Sequence, residues 1–383
     1  MTFNPKKKLV IYSGAPISYE NSIRKYGFHK IPKGKFDVQV VDGSEIFHDK
    51  KLINQFTKAS KKSDRYNADV KFKNVKDFEN FFTNLDKNTL VIVINRGLIN
   101  SPFHLNNFDL DILNSLKIKY VSNRYLHLNL DCNFKKFSVL NIFKIIWNLL
   151  MKILDLFKNF KLKPYCYIGS GNLFAQKKLK KKIICTSNYI NFEVKKNSKR
   201  NYILYVDEGV NQSRDTILYG ALFKKVKNEK KFIKDLNILF SLLEEKYNVP
   251  VIIGSSNKYF YKKNPFNNRK IIYAKTSNLI HNAKIILGHK SSVLYQLLFS
   301  NKPALILKHK EFNLARRILI DLFAINALNQ NSFFIEDINE KKFLDFKVDR
   351  NFRSKILKKH FISNKMKSKN FSYYFLKEIK GFN

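Results

Sequence analysis

Acidic residues are scarce in this chain: 30 Asp and Glu stand against 72 Lys and Arg over 383 residues, a formal balance of +42. Cysteine, glycine and proline are scarce too, at 3, 12 and 8. The cysteines, Cys132, Cys166 and Cys185, form no CxxC pair and have no His-rich segment beside them, which argues against a disulfide framework or a structural zinc site. No metal ligand set is read from the sequence. So few glycines and prolines, spread without period, exclude collagen-like and low-complexity architectures, and no short repeat builds a solenoid. Met1 to Lys8 runs through charges into Leu9-Val10-Ile11-Tyr12 with no apolar signal segment, so the chain reads as cytoplasmic.

Apolar material is plentiful, with 44% hydrophobic and 14% aromatic residues, which excludes a disordered polycation. The length suits two domains. A basic excess of this size fits an anionic partner such as nucleic acid, anionic lipid or an acidic polymer. Against nucleic acid, the lysines are scattered along the whole chain, no binding motif appears, and the accompanying Asn, Ile and Phe point to an A/T-rich coding bias.

Short apolar runs that stop at small or polar residues mark buried parallel strands. In the first half these are Leu9 to Tyr12, Phe36 to Val41, Leu90 to Ile94, Pro164 to Ile168 and Ile183 to Cys185, with helices over Val75 to Leu85 and Asn106 to Leu116. Phe137 to Phe157, containing the single Trp147, is apolar but interrupted by Lys144 and Lys152, too charged for a membrane span. It reads either as a helix packed on the sheet or as an interfacial helix on an anionic membrane. Gly169-Ser170-Gly171 lacks the spacing of a dinucleotide or P-loop turn.

After the polar linker Lys195 to Asn201 the same grammar restarts. Strands are expected at Tyr202 to Val206, Pro250 to Ile253, Lys270 to Tyr273, Lys284 to Leu287 and Pro303 to Leu307, and helices at Phe232 to Tyr247, Ser277 to Asn282 and Ser291 to Ser300. The expected fold is α/β, two Rossmann-like domains in a GT-B-like arrangement with an interdomain cleft. Residues 1–195 form the acceptor-side domain, 202–340 the donor-side domain, and 341–383 a basic helical tail.

Three loops at strand ends should meet at the carboxyl edge of the second sheet. Asp207-Glu208-Gly209 places two acids after a buried strand, either a general base or a helix cap. Gly254-Ser255-Ser256-Asn257-Lys258 is a polar turn able to hydrogen-bond a ligand. Gly288-His289-Lys290-Ser291-Ser292 opens a helix, so a Ser cap leaves N–H groups and the positive dipole end for a phosphate, with His289 and Lys290 as further donors.

Asp207-Glu208-Gly209 and Ser291-Ser292 resemble, in order and spacing, the acidic-acidic-Gly and Ser-Ser motifs of bacterial sialyltransferases and polysialyltransferases. Ala283 to Leu307, with Asn301-Lys302-Pro303, resembles capsule and teichoic-acid glycosyltransferases. The resemblance spans Tyr202 to Leu307 and implies a GT-B fold, a nucleotide-activated donor and inverting transfer without metal or cofactor. It implies Asp207 or Glu208 as base, Ser291 and Ser292 as phosphate binders, and a glycan or lipid-linked glycan as acceptor. Where that family has His-Pro this chain has Ser256-Asn257, carried over only as positions lining the donor site, which leaves His289 to substitute for the missing His. An anionic membrane surface is the further expected partner, with the protein peripheral on the inner face of the cytoplasmic membrane.

Overall fold

A computed structural model of the chain describes residues 7–14, 36–48, 67–86, 89–95, 108–123, 166–169, 182–185, 202–210, 226–255, 260–273, 275–300, 302–338 and 348–360, with isolated positions between 17 and 54. The first half forms β1 (Lys7–Ser13), β2 (Phe36–Asp42), α1 (Ser44–Phe47), β3 (Val70–Lys71), α2 (Val75–Thr83), β4 (Leu90–Asn95), α3 (Phe108–Ser115), β5 (Tyr120–Asn123), β6 (Cys166–Gly169) and β7 (Lys182–Cys185). The strands pair in the order β3-β2-β1-β4-β5-β6-β7, every pair parallel.

Strand β1 shows why both faces are covered. Side chains alternate along a strand, and here Leu9 and Ile11 enter one apolar cluster with Phe36, Val40 and Ile92, while Val10 and Tyr12 enter another with Phe78, Phe82 and Tyr120. A strand buried on both sides has no polar alternation, which is the run seen in the sequence. Helix α2 begins where Asn74 accepts the Asp77 N–H and donates to the Asp77 carboxylate, both at 2.8 Å. It then lays Phe78 and Phe82, one turn apart, edge-on to Tyr12.

The second half forms β8 (Ile203–Asp207), α4 (Glu229–Tyr247), β9 (Val251–Ser255), β10 (Ile271–Tyr273), α5 (Thr276–Asn282), β11 (Ile285–Gly288), a 3₁₀ turn over Ser292–Gln296 leading into α6 (Leu297–Ser300), β12 (Ala304–Lys308), α7 (Leu314–Leu328), β13 (Phe333–Phe334) and α8 (Arg350–His360). Its strand order is β10-β9-β8-β11-β12-β13, again all parallel. Both sheets therefore start from an inner strand, extend two strands to one side and return to the other, the Rossmann order. The expected fold class, two Rossmann-like α/β units, is the one observed. The linker Lys195 to Asn201 lies outside the described residues, and each sheet is described by itself.

Strand β9 shows tight packing rather than ligand chemistry at Gly254: a Cβ there would stand 2.9 Å from Leu204 Cδ1 and 3.1 Å from Thr276 Cγ2. Helix α8, within the segment expected as a tail, packs on α6 and α7. Its Arg353, 1% exposed, donates through Nη1 to the carbonyls of Leu297 (3.3 Å) and Lys302 (2.7 Å). Phe137 to Phe157 with Trp147 lies outside the described residues. Among the described residues no helix is long and apolar enough to cross a membrane.

Candidate functional site

Strand β8 runs between β9 and β11, so its carboxyl end is the topological switch point of the second sheet, where the loops on either side diverge and leave a crevice. Register decides which side chains meet there. Asp207 pairs with Ser255 and Val206 with Gly288, so two residues further on Glu208 stands beside Lys290. The loops 207–209 and 288–292, expected to converge, do so.

Asp207 and Glu208 have different surroundings. Asp207 is 5% exposed and accepts three hydrogen bonds: from the Gly209 N–H at 2.9 Å, the Ser255 hydroxyl at 3.2 Å and the Tyr261 hydroxyl at 3.0 Å. The turn that brings the Gly209 N–H onto the carboxylate needs φ of 57°, a left-handed conformation that glycine adopts without a Cβ penalty. Burial, together with the Asp207 charge, pushes the Tyr261 phenol well above its ordinary range. Asp207 is thus a fastener between β8, β9 and the 260–266 segment.

Glu208 faces cations. Its Oε1 accepts the Lys290 backbone N–H at 2.5 Å and its Oε2 lies 3.3 Å from Arg316 Nη2, with the side chain 12% exposed. Burial pushes its carboxyl up to about 7, while the Arg316 charge and the Lys290 N–H oppose that rise. Burial also pushes the Lys290 ammonium down. Arg316 sits in the first turn of α7, where its N–H is capped by Asn313 Oδ1 at 2.8 Å and its guanidinium lies 5.0 Å from the Phe312 ring centre. Sequence reasoning does not reach Arg316, because its reading of elements stops at Leu307. The capping Asn313 and the helical spacing of Ile320, Phe323, Ala324, Ala327 and Leu328 are the signals that mark α7.

His289 requires a correction. It is fully buried, with Nδ1 2.8 Å from the Leu307 carbonyl and Nε2 2.9 Å from the Tyr205 hydroxyl. The carbonyl can only accept, so Nδ1 carries the proton and Nε2 accepts from Tyr205. Burial pushes the ring down to about 3, and Tyr205 and Phe312 pack edge-on against it. A neutral imidazole with both nitrogens engaged in the core has no proton to give a leaving group. His289 fastens the end of β11 to β12 instead of replacing the missing His of the motif.

The serine loop also differs from its expected form. Ser291 occupies the cap position by backbone geometry, but its hydroxyl makes no capping bond, and the Leu294 N–H bonds to the Ser291 carbonyl at 3.0 Å in a 3₁₀ turn. The regular helix is only the four residues of α6. A tighter first turn uses N–H groups that an α-helical start would leave open. Ser291→Ala should therefore change stability by less than about 0.5 kcal/mol, not the ~1 kcal/mol of a lost cap. A melting curve checks this, and a larger loss would restore the cap. The Ser292 side chain, and Ser256 and Asn257 altogether, lie outside the described residues.

Among the described residues, Asp235, His309 and Glu336 have metal-ligand spacing. The His309 protonation argues against a metal there. Its Nδ1 accepts the Glu311 N–H at 3.1 Å, so the proton is on Nε2, which donates to Asp235 Oδ2 at 3.0 Å and Glu336 Oε1 at 3.3 Å. A ligating Nε2 needs its proton on Nδ1, where the Glu311 N–H would oppose it. The group is a hydrogen-bonded tie between α4, the end of β12 and residues 335–337.

The position of Glu208 has a pH consequence. A carboxyl raised from 4.5 to about 7 binds its proton more tightly in the folded state. Its contribution to stability is full below about pH 4.5 and is lost as pH rises through about 7, by at most ~3 kcal/mol and less with its residual solvent contact. Denaturant midpoints of the parent and Glu208→Gln proteins across this window should differ in slope. Parallel pH curves would remove the assignment.

No protein-family model matches the chain, and no curated protein sequence matches it. Among solved structures it is similar to the UDP-GlcNAc 2-epimerase of Methanocaldococcus jannaschii, at 12% identity and a TM-score of 0.45 over 98% of this chain and 100% of that one. It is similar to Phytolacca americana UGT2, complexed with UDP-2fluoro-glucose and pterostilbene, at 9% identity and 0.44 over 93% and 90%. It is similar to Acinetobacter baumannii MurG, at 10% and 0.40 over 88% of each chain. Likenesses this distant leave the fold assignment resting on strand order.

Proposed function

We propose that the chain is a GT-B-type glycosyltransferase that moves a sugar from a nucleotide donor, CMP-sialic acid or similar, to a cell-surface or lipid-linked glycan with inversion. The observation that carries this reading is the meeting of one carboxylate, Glu208, with the Lys290 backbone N–H and the Arg316 guanidinium, within the field of the Lys290 ammonium, at the switch point of a Rossmann-order sheet. Inverting transfer is a single displacement. The acceptor oxygen attacks the anomeric carbon, its proton passes to a carboxylate base, and the bond to the donor phosphate breaks with the electron pair leaving on the phosphate oxygen. A carboxyl near neutrality suits the base, and buried cations suit the departing phosphate. A basic protein fits an acceptor at an anionic membrane face.

One observation favours a second reading, a nucleotide- or glycan-binding member without transferase activity: His289 is sealed in the core and supplies no leaving-group acid. Thermal shift against CMP, CDP, UDP and GDP derivatives tests the shared part, since a ligand at a hundred times its Kd stabilises the folded state by about 2.7 kcal/mol. No shift with any of them would overturn the transferase and the nucleotide-binding readings and leave a glycan binder. Sugar transfer or donor hydrolysis by the purified protein, given the nucleotide so identified, separates the enzyme from the binder.

A further inference from the structure

Arg316 has donor capacity that the described residues do not use. Nη2 meets Glu208 Oε2, but Nη1 is buried and has no partner among the described residues, in a residue 5% exposed. A buried guanidinium N–H with no acceptor carries a desolvation cost that native structures seldom leave uncompensated. The bond it does make is long, 3.3 Å against about 2.7–2.9 Å for a strong charge-assisted pair. Glu208 is meanwhile held by its other oxygen to the Lys290 N–H, so it can release Arg316 and keep one hydrogen bond.

We infer that Arg316 binds a phosphate of the nucleotide ligand, and that it does so by exchanging its contact with Glu208 for that phosphate. This rests on the nucleotide-sugar reading and names the residue that reads the anion. A guanidinium presents its N–H groups as a planar fork, and a phosphate can take Nη1 and Nη2 together where Glu208 takes one. Lys290 adds a second positive charge on the same side. Among the described residues, the charged and titratable groups acting on Glu208 are Arg316 from α7, Lys290 from the 288–292 loop and Tyr205 from β8. A dianion brought to Arg316 adds repulsion to that set. Glu208 then either turns from the cation or takes a proton from solvent.

The exchange ties the base to the donor. While Arg316 neutralises it, Glu208 is the weaker base. Once the phosphate holds Arg316, the carboxylate loses its cation and gains proton affinity, in the complex where an acceptor hydroxyl must give up its proton. At about pH 8 that proton uptake is partial, and the Glu208 that stays ionised is the stronger base.

Isothermal titration of inorganic pyrophosphate into the full chain at about pH 8, in two buffers of different ionisation enthalpy, reads the proton uptake directly. The parent protein should take up more proton than pyrophosphate's own titration supplies, and Glu208→Gln should show only the latter. Glu208→Gln should also bind pyrophosphate about tenfold more tightly, because the competing carboxylate is gone. The double variant Glu208→Gln with Arg316→Gln removes both members of the ion pair, so neither member is left behind without the other. It should lose that gain, binding about tenfold more weakly than Glu208→Gln.

Equal proton uptake by the parent and Glu208→Gln overturns the exchange even if the double variant does not fold. Equal pyrophosphate affinity in Glu208→Gln and a folded double variant also overturns it. If CMP or UDP binds with that same indifference to Arg316, the inference falls and the nucleotide reading stands. Arg316-dependent pyrophosphate binding with no nucleotide binding supports the anion site and removes the nucleotide reading. Absence of any binding to the parent and Glu208→Gln removes both.

Discussion

Glu208→Gln is expected to lower turnover by roughly two to four orders of magnitude while the protein still folds. The amide keeps an oxygen for the Lys290 N–H, and the Arg316 guanidinium keeps its place over Phe312, so the loop holds its shape. What disappears is a carboxylate that burial has pushed up to about 7, able to accept a proton near neutrality. The loss should fall on kcat more than on donor affinity, because the base acts in the transition state. Single-turnover transfer with whichever nucleotide donor the thermal screen identifies measures it, beside a melting curve. Undiminished turnover in a folded Glu208→Gln protein would sink the assignment of the base.

Asp207→Ala is expected to fail for the opposite reason, by costing roughly 3–5 kcal/mol of stability. The substitution removes the acceptor of three hydrogen bonds, from the Gly209 N–H, the Ser255 hydroxyl and the Tyr261 phenol, at a nearly closed position. Each donor left behind would need a new acceptor within the same packed region. Denaturant midpoints at constant slope quantify the loss. If Asp207→Ala melts within about 1 kcal/mol of the parent yet has no activity, Asp207 and not Glu208 is the base.

The contrast between these two neighbours marks where the sequence stops being informative. Buried runs such as Leu9 to Tyr12 and Ile285 to Leu287 are legible, because a strand covered on both faces is apolar throughout. Their parallel pairing follows from the helices between them, and with it the meeting of the 207–209 and 288–292 loops. Strands β3 and β13 are two residues each, too short to carry a pattern, and β5 offers only Val121 as a β-branched residue. The choice between Asp207 and Glu208 is not legible, since it depends on which oxygen faces which strand. Arg316 meets Glu208 across 108 residues of chain, a contact that local spacing does not encode. His289 reads as a phosphate ligand by its place beside Lys290 and Ser291. The opposite is true in three dimensions, because the Leu307 carbonyl turns the ring inward.

The guanidinium of Arg353, threaded onto the carbonyls of Leu297 and Lys302, has a consequence for biosynthesis. Those two carbonyls leave the ribosome some fifty positions before the side chain that satisfies them. Until helix α8 arrives, the nascent second sheet exposes an unfinished flank beside α6 and α7, including the Asn329 amide that later bonds Asp349 at 2.9 Å. A gene cut at codon 340 would encode every strand of that sheet and still leave the product open on this side. Such a truncation should accumulate in inclusion bodies, and one cut after 360 should restore the soluble fraction. The working boundary for expressing the second unit is set by this one arginine more than by the last strand.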